Sequence, residues 1–154
     1  MTLRFRHTAG FGKRMEYWII GQMLKEGLDV YVPLVDDFGI DAIIRKDDGT
    51  IFEVQIKARS NEVKMSDAAL FAALKHELRQ NYHFVFYSER LQTMWIMSSK
   101  QFIKESVQNK NGKNKGSRSI WFNGTKTNKE TKQKYEYPHE RFNKYIAKDF
   151  RAFK

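Results

Sequence analysis

The sequence predicts an α/β protein with a mixed sheet flanked by helices, in the core order αβββαβ. Three observations support this class: apolar residues near the start recur at helical spacing, short segments with two-residue alternation follow, and a second helical stretch precedes further strands. Strands that meander before a helix and another strand are typical of layered folds in which helices cover a mixed sheet.

The first helix is predicted over residues 10–26, because apolar residues recur at helical spacing and Gly27 is a common residue at a helix end. We expect these apolar residues to face the core. They are Phe11, Met15, Trp18, Ile19 and Met23.

Three short strands are predicted next, at 29–33, 40–45 and 50–58. The last two are joined by Lys-Asp-Asp-Gly at 46–49, which is a strong hairpin turn. Ser and Asp at 66–67 are typical of a helix N-cap, so a second helix is expected from there to about residue 80. This helix completes the αβββα part of the predicted order.

Two further strands are predicted at 82–87 and 93–98, joined by a turn, and Ser99 is expected to cap a helix through Val107. The last part of the chain is expected to hold two loops, one short aromatic strand between them and a final helix. The loops are 109–117 and 123–134, the strand is 119–122, and the helix starts at Pro138 with an apolar stripe of Phe142, Tyr145, Ile146, Phe150 and Phe153.

The net charge of +10 comes entirely from the last third of the chain. Lys and Arg number 28 against 18 Asp and Glu; residues 1–99 hold 13 of each sign, and residues 100–154 hold 15 basic and 5 acidic side chains. Such an excess favours polyanionic partners. The basic residues expected to bind nucleic acid are Lys110, Lys113, Lys115, Arg118, Lys126, Lys129, Lys132 and Lys134.

Composition excludes several classes of protein. Cysteine is absent, which removes disulfides and thiolate metal sites, and no run of about twenty apolar residues is present to span a bilayer. The N-terminus lacks the features of a secretory signal, so a cytoplasmic location is expected. The 154 residues are expected to form one domain, with a core at about 8–98 and a basic extension at about 99–154.

The candidate catalytic residues lie in the second and third predicted strands. Glu53, Gln55 and Lys57 alternate with apolar residues and therefore share one face of the third strand. Folding at the 46–49 turn brings Asp41 opposite residues 54–56. A carboxylate in the apolar run 40–44 is costly unless a lysine or a cation lies beside it.

These residues resemble the motif of the PD-(D/E)xK nuclease superfamily, which has the restriction-endonuclease-like fold. The matching segments are Gly-Ile-Asp at 39–41, a hairpin, and Val-Gln-Ile-Lys at 54–57, where Gln55 replaces the usual acid. The helix segment 12–16, ending in Glu16, resembles the acidic first helix of the family. The resemblance covers about residues 8–90 and is closest to small bacterial or mobile-element members.

The resemblance implies a Mg²⁺-dependent DNA endonuclease, in which Mn²⁺ substitutes for Mg²⁺ and two copies form a homodimer or a higher homo-oligomer. Mg²⁺ takes oxygen ligands, typically one or two carboxylates with waters. Asp41 is then the principal ligand, and Gln55 contributes a neutral oxygen. Glu16 or Glu53 would complete the site, and Lys57 would position or deprotonate the attacking water.

Simpler interpretations stand beside this one. Asp, Gln and Lys on an exposed strand are common, and Glu16 could pair with Lys13 or Arg14. Asp36 and Asp37 are expected to form a turn. Two other functions also fit: a nuclease fold that binds nucleic acid without cutting it, and an RNA-directed protein, because lysines in loops do not distinguish RNA from DNA.

Overall fold

The structure is a computed structural model that describes residues 8–154, with side chains from residue 10 onward. The N-terminal segment, to which the expectation about a secretory signal refers, lies outside the described residues. The helices are α1 (Thr8–Lys25) and α2 (Ser99–Glu105), with 3-10 helices at Glu140–Tyr145 and Arg151–Phe153. The strands are β1 (Asp29–Tyr31), β2 (Ala42–Arg45), β3 (Ile51–Arg59), β4 (Leu70–Leu74), β5 (Tyr82–Ser88), β6 (Thr93–Ser98), β7 (Val107–Gln108), β8 (Arg118–Trp121), β9 (Asn123–Thr127) and β10 (Lys134–Pro138).

A five-stranded mixed sheet forms the centre of the fold, in the order β1-β2-β3-β5-β6. The first three strands form an antiparallel meander, β3 and β5 are parallel, and β5 and β6 form an antiparallel hairpin. Because β3 and β5 are parallel, the chain between them, residues 60–81, forms a long crossover. The mixed sheet confirms the predicted α/β class.

Helix α1 packs on one face of this sheet. Ile19 and Met23 are fully buried against Val54, Ile56 and other apolar residues of the strands. Trp18, which was expected to face the core, is 47% exposed, and its ring lies tilted against that of Tyr87 with centroids 5.3 Å apart. The apolar stripe of α1 is therefore narrower than the sequence pattern indicates.

The opposite face of the sheet carries an aromatic core. Phe84 and Phe86 of β5 are fully buried and contact Phe102 of α2, while Trp95 of β6 stacks on Phe122 with centroids 4.5 Å apart. Helix α2 begins with a capping box in which Ser98 accepts from the Gln101 N–H. The helix that Ser99 was predicted to cap is therefore present, but its N-cap is Ser98 and it ends at Glu105 rather than Val107.

The helix expected from 66–67 to about residue 80 is wrong. This crossover segment contains strand β4 and irregular chain, with positive φ angles at Ser66 (82°) and Ala73 (57°). Leu70 and Phe71 pair with Trp121 and Ile120 of β8. Pairing with a strand fifty residues away outweighs the helix propensity of the Ala- and Leu-rich sequence, so the core order departs from αβββαβ at this element.

The predicted aromatic strand near residues 119–122 is present as β8, but it is not isolated. It lies between β4 and β7 in a three-stranded sheet. Ile120 is buried in the aromatic core and Trp121 is half exposed. This second sheet connects the crossover segment to the basic part of the chain.

The loop expected at 123–134 is also wrong, because most of it forms a hairpin. Strands β9 and β10 pair in register from Asn123–Pro138 to Thr127–Lys134. The side chain of Asn128 caps the turn by accepting the N–H groups of Glu130 and Thr131. Its Lys, Asn and Thr content is typical of loops, and most of its side chains are exposed, so two-residue alternation does not reveal the strands.

The final helix predicted from Pro138 is replaced by two short 3-10 helices. Phe142 and Tyr145 pack in the aromatic core, whereas Phe150 and Phe153 pack against α1 on the other face of the sheet. Between them the chain passes the edge of β6, where Ala147 N–H donates to the Met94 carbonyl. One straight helix cannot cover both faces, so the apolar stripe is divided between them.

None of the helices in the described part of the chain is both long and apolar enough to cross a membrane.

Candidate active site

The β2–β3 hairpin places Asp41 beside Gln55. Ala42 pairs with Val54, and the backbone N–H of Asp41 donates to the Val54 carbonyl at 2.8 Å. The Asp41 side chain also contacts β3, because its Oδ2 accepts the Ile56 N–H at 2.7 Å. This is the position that folding at the 46–49 turn predicts.

Asp41 lines a small cavity together with two other carboxylates. Glu16 of α1 and Asp36 of the β1–β2 loop share this cavity of about 110 Å³ with Asp41 and with Lys13. Asp36 was expected to form a turn, and it does so, because its Oδ1 accepts the Ile40 N–H at 3.1 Å. It also faces Asp41, which the sequence pattern did not indicate.

The electrostatics of this cavity favour a cation. Burial raises the pKa of Asp41 to about 7, and the negative charges of Glu16 and Asp36 add to the increase, while the hydrogen bond from Ile56 opposes it. Asp41 is only 7% exposed. A cation beside these carboxylates would offset both burial and repulsion, since it stabilises the ionised form.

Glu16 is held at the rim of the cavity by an ion pair. The Nζ of Lys13, one helical turn earlier, lies 2.8 Å from its Oε2, and the glutamate side chain is 21% exposed. The simpler interpretation of Glu16, pairing with a neighbour on the helix, therefore describes its contact. The same residue nevertheless lines the cavity with Asp41.

Gln55 is oriented by a buried tyrosine. The hydroxyl of Tyr82, a residue only 2% exposed, lies 2.5 Å from the Gly39 carbonyl and 3.1 Å from Gln55 Oε1. Gly39 has φ of +67°, and a Cβ at this position would lie 3.1 Å from Gln55 Nε2. Glycine is thus required both for the backbone conformation and for the close approach of the glutamine amide.

Glu53 forms an ion pair with Arg79 and does not line the carboxylate cavity. The two side chains are 2.5 Å apart and each is about one-third exposed. Arg79 also donates to the Phe38 carbonyl at 2.8 Å, and its guanidinium lies 4.4 Å from the centre of the Tyr82 ring. Arg79 and Tyr82 together tie the chain before Asp41 to strand β3.

Lys57 follows Gln55 on the same face of β3, and it pairs in register with Phe86 of β5. Among residues 8–154, no carboxylate lies within ion-pair distance of its ammonium group. Its charge is therefore available to an external anion.

The cavity fits a hydrated Mg²⁺ ion in chemistry and size. Within the described residues, no group of three His, Asp or Glu side chains is arranged to hold a metal by itself. Mg²⁺ needs one or two carboxylates and keeps several waters. The volume of 110 Å³ corresponds to about three or four water molecules at ~30 Å³ each, which leaves room for such an ion.

The basic residues expected to bind nucleic acid divide into two groups. All seven lysines are exposed on the 109–117 loop and the β9–β10 hairpin. Arg118 is partly buried and donates to the Ile103 carbonyl at 3.1 Å, close to the end of α2. Its hydrogen bonds give Arg118 a structural position, in contrast to the lysines.

Comparison with known proteins supports the fold. No protein-family model matches the chain, and no curated protein sequence matches it. Among solved structures, the chain is similar to a bacterial homing endonuclease, I-Ssp6803I, with a TM-score of 0.58 and 20% sequence identity over 92% of this chain and 89% of that one. The predicted restriction-endonuclease-like class is thus confirmed at the level of the fold, and the Gln-containing PD-(D/E)xK branch stays a prediction.

Proposed function

We propose that this protein is a divalent-metal-dependent endonuclease that hydrolyses phosphodiester bonds in DNA. The observation that carries the proposal is the position of Asp41, whose carboxyl has a pKa of about 7 and shares a cavity with Glu16 and Asp36. Strongly perturbed carboxyls in a cleft are typical of functional sites. The similarity in fold to a homing endonuclease supports the same function.

Each residue has a role that follows from its chemistry. Asp41 would hold Mg²⁺ or Mn²⁺, with Glu16 and Asp36 as further oxygen donors, directly or through water, and with the Gln55 carbonyl as a neutral donor. The bound metal would supply Lewis-acid stabilisation of the phosphate and lower the pKa of a water molecule. The Lys57 ammonium would bind the scissile phosphate and position the water that attacks it.

The substrate class follows from the charge of the C-terminal part of the chain. Seven exposed lysines on one loop and one hairpin would contact the phosphate backbone, and the affinity should fall steeply with salt. A single site per chain cuts one strand, so cleavage of both strands requires two copies. We therefore propose a homodimer or a higher homo-oligomer as the active form.

The proposal is tested by nicking of supercoiled plasmid with Mg²⁺, Mn²⁺ or EDTA. We expect nicking with either metal and none in EDTA. The variants Asp41→Asn and Lys57→Met should lower the rate at least a hundredfold without lowering the thermal midpoint by more than a few degrees. The matched controls Asp47→Asn and Lys25→Met change the same residue types at exposed positions away from the site and should keep full activity. Nicking that survives both site variants would overturn the proposal.

A second function, binding of nucleic acid without cleavage, is favoured by two observations. Residues 8–154 contain no group of three acidic or histidine side chains arranged as a metal site, and Glu16 is already paired with Lys13. In that case calorimetry with Mg²⁺ or Mn²⁺ would detect no binding, whereas DNA binding would persist.

A further inference from the structure

The β9–β10 hairpin presents one face made of aromatic and basic side chains. Lys126, Tyr135 and Tyr137 share this face, because Lys126 is the register partner of Tyr135 and the two tyrosines are two residues apart. Lys126 is exposed and Tyr135 is 48% exposed. The two tyrosine rings are 6.4 Å apart, and the Lys126 ammonium lies 4.8 Å from the centre of the Tyr137 ring.

Gly124 makes this face flat. It is the register partner of Tyr137, and a Cβ at position 124 would lie 2.4 Å from the Cζ of the tyrosine ring. Any larger residue would therefore displace the ring, which lies directly across the backbone of β9. The glycine keeps the ring against the hairpin, and Lys126 and Tyr135 are the exposed side chains of this face.

The base of the hairpin is fixed to the body of the protein. The side chain of Glu136, only 2% exposed, is ion-paired with Arg90 at 2.5 Å and accepts the Ala68 N–H at 2.9 Å. Asn123 accepts the Ala69 N–H and donates to the Ser66 carbonyl, each at 3.0 Å. A hairpin anchored at its base can present its outer part in a defined direction.

The outer part of the hairpin is strongly positive. Residues 124–135 contain Lys126, Lys129, Lys132 and Lys134 and a single acid, Glu130. All of these side chains are exposed. Such a surface is complementary to the phosphate backbone on both sides of a DNA groove.

We propose that the β9–β10 hairpin enters the major groove of duplex DNA. Lys126 and Tyr135 then face the base edges, and Lys129 and Lys132 at the turn contact phosphates. Two strands about 4.8 Å apart, with their side chains, fit a groove about 12 Å wide, which admits a two-stranded ribbon. The inference rests on DNA being the substrate under the proposed function, and it adds which element contacts the DNA and from which groove.

The test uses a 30-base-pair mixed-sequence duplex with a fluorescent label, titrated with the full-length protein in EDTA so that no cleavage occurs. A second duplex of the same sequence carries glucosylated hydroxymethylcytosine, which fills the major groove. Netropsin, which fills the minor groove, is added to the unmodified duplex in a third titration. We expect glucosylation to weaken binding at least tenfold and netropsin to change it less than twofold.

Variants then assign the effect to the hairpin. The Lys126→Ala/Tyr135→Ala protein should bind both duplexes within threefold of each other. Lys129→Gln/Lys132→Gln should reduce the slope of log K against log salt by about 1.8, at ~0.9 per phosphate contact. The control Lys25→Gln/Lys148→Gln removes the same charge from exposed positions elsewhere. It should leave the groove preference unchanged and should reduce the salt slope by less than half as much as Lys129→Gln/Lys132→Gln does.

The inference is overturned if the Lys126→Ala/Tyr135→Ala protein keeps the wild-type sensitivity to glucosylation, or if netropsin competes and glucosylation does not. It is also overturned if duplex RNA binds more tightly than DNA, because the deep, narrow major groove of A-form RNA does not admit the hairpin. Plasmid nicking is measured separately. If the protein nicks plasmid but the hairpin variants leave DNA binding and its groove preference unchanged, this inference alone is refuted. If the groove preference is as expected but the protein does not nick plasmid, the catalytic proposal alone is refuted.

Discussion

Replacement of Asp41 by Asn should make the protein more stable at neutral pH while it removes activity. The pKa of Asp41 is about 7 in the folded protein, against an ordinary value of 3.8. A difference of this size corresponds to about 4 kcal/mol at 1.36 kcal/mol per pH unit. Burial is the largest cause of this shift, and repulsion from Glu16 and Asp36 adds to it, so we expect the Asp41→Asn protein to gain about 2–4 kcal/mol at pH 8.

The direction of this change in stability with pH follows from proton linkage. A carboxyl whose pKa is raised by folding binds its proton more tightly in the native state. Its stabilising contribution is complete below about pH 4 and is lost as the pH rises through 7. The Asp41→Asn side chain stays neutral and keeps an oxygen that accepts the Ile56 N–H, so the two proteins should have similar stability near pH 4 and diverge toward pH 8.

Urea denaturation in EDTA at several values between pH 4.5 and 8, followed by tryptophan fluorescence, measures this difference. Trp95 is fully buried and reports unfolding of the core. The Asp47→Asn variant, at an exposed position of the β2–β3 turn, should show no such divergence. If the Asp41→Asn protein is less stable than wild type at pH 8, or differs from it by the same amount at every pH, burial and the neighbouring carboxylates do not raise the pKa of Asp41 as described.

Three more predictions follow from the same contacts. Tyr82→Phe removes the hydroxyl that donates to the Gly39 carbonyl and to Gln55, so metal-dependent nicking should fall at least tenfold. Urea denaturation should show a loss of about 1–3 kcal/mol in the free energy of unfolding. Unchanged nicking would show that catalysis does not need Tyr82 to orient Gln55. Mg²⁺ binding should tighten between pH 6 and 8 and should release protons, because Asp41 ionises when the metal binds. Calorimetry in two buffers of different ionisation enthalpy measures the proton release, and the Asp41→Asn protein should show none. Phe153→Ala should cost about 3–5 kcal/mol in urea denaturation, since this ring is 1% exposed; a loss under 1 kcal/mol would mean that the C-terminal turn is not part of the core.

The sequence predicted the central sheet well because its signals are local. The hairpin at 46–49 has a strong turn sequence, and two-residue alternation in β3 places Gln55 and Lys57 on one face without knowledge of the rest of the chain. The position of Asp41 follows by counting along the hairpin. These residues could therefore be brought together from sequence alone, although their chemical roles stay predictions.

The elements that were predicted wrongly depend on distant partners. The segment after 66–67 has helical propensity but pairs with β8, and the residues after Pro138 divide between two cores. Arg79 and Tyr82 were missed for the same reason, because their contacts with Phe38 and Gly39 span 41 and 43 residues of sequence. Asp36 was predicted only as a turn residue, although it also lies beside Asp41. The one available signal was Tyr82, a hydroxyl-bearing aromatic at the start of a buried strand, which needs a hydrogen-bond partner.

The path of residues 140–153 around the edge of β6 has a consequence for the order in which this protein can fold during synthesis. Both hydrophobic cores take side chains from this segment: Phe142 and Tyr145 on one face of the sheet, Phe150 and Phe153 on the other. The strand hairpins can form early because their contacts are local. The aromatic core is not complete until residue 145 has left the ribosome, and the core beneath α1 is not complete until residue 153 has done so. A nascent chain stopped before residue 140 should therefore be sensitive to protease. The carboxylate cavity depends on the packing of α1 and should become rigid only after the basic last third of the chain has been made.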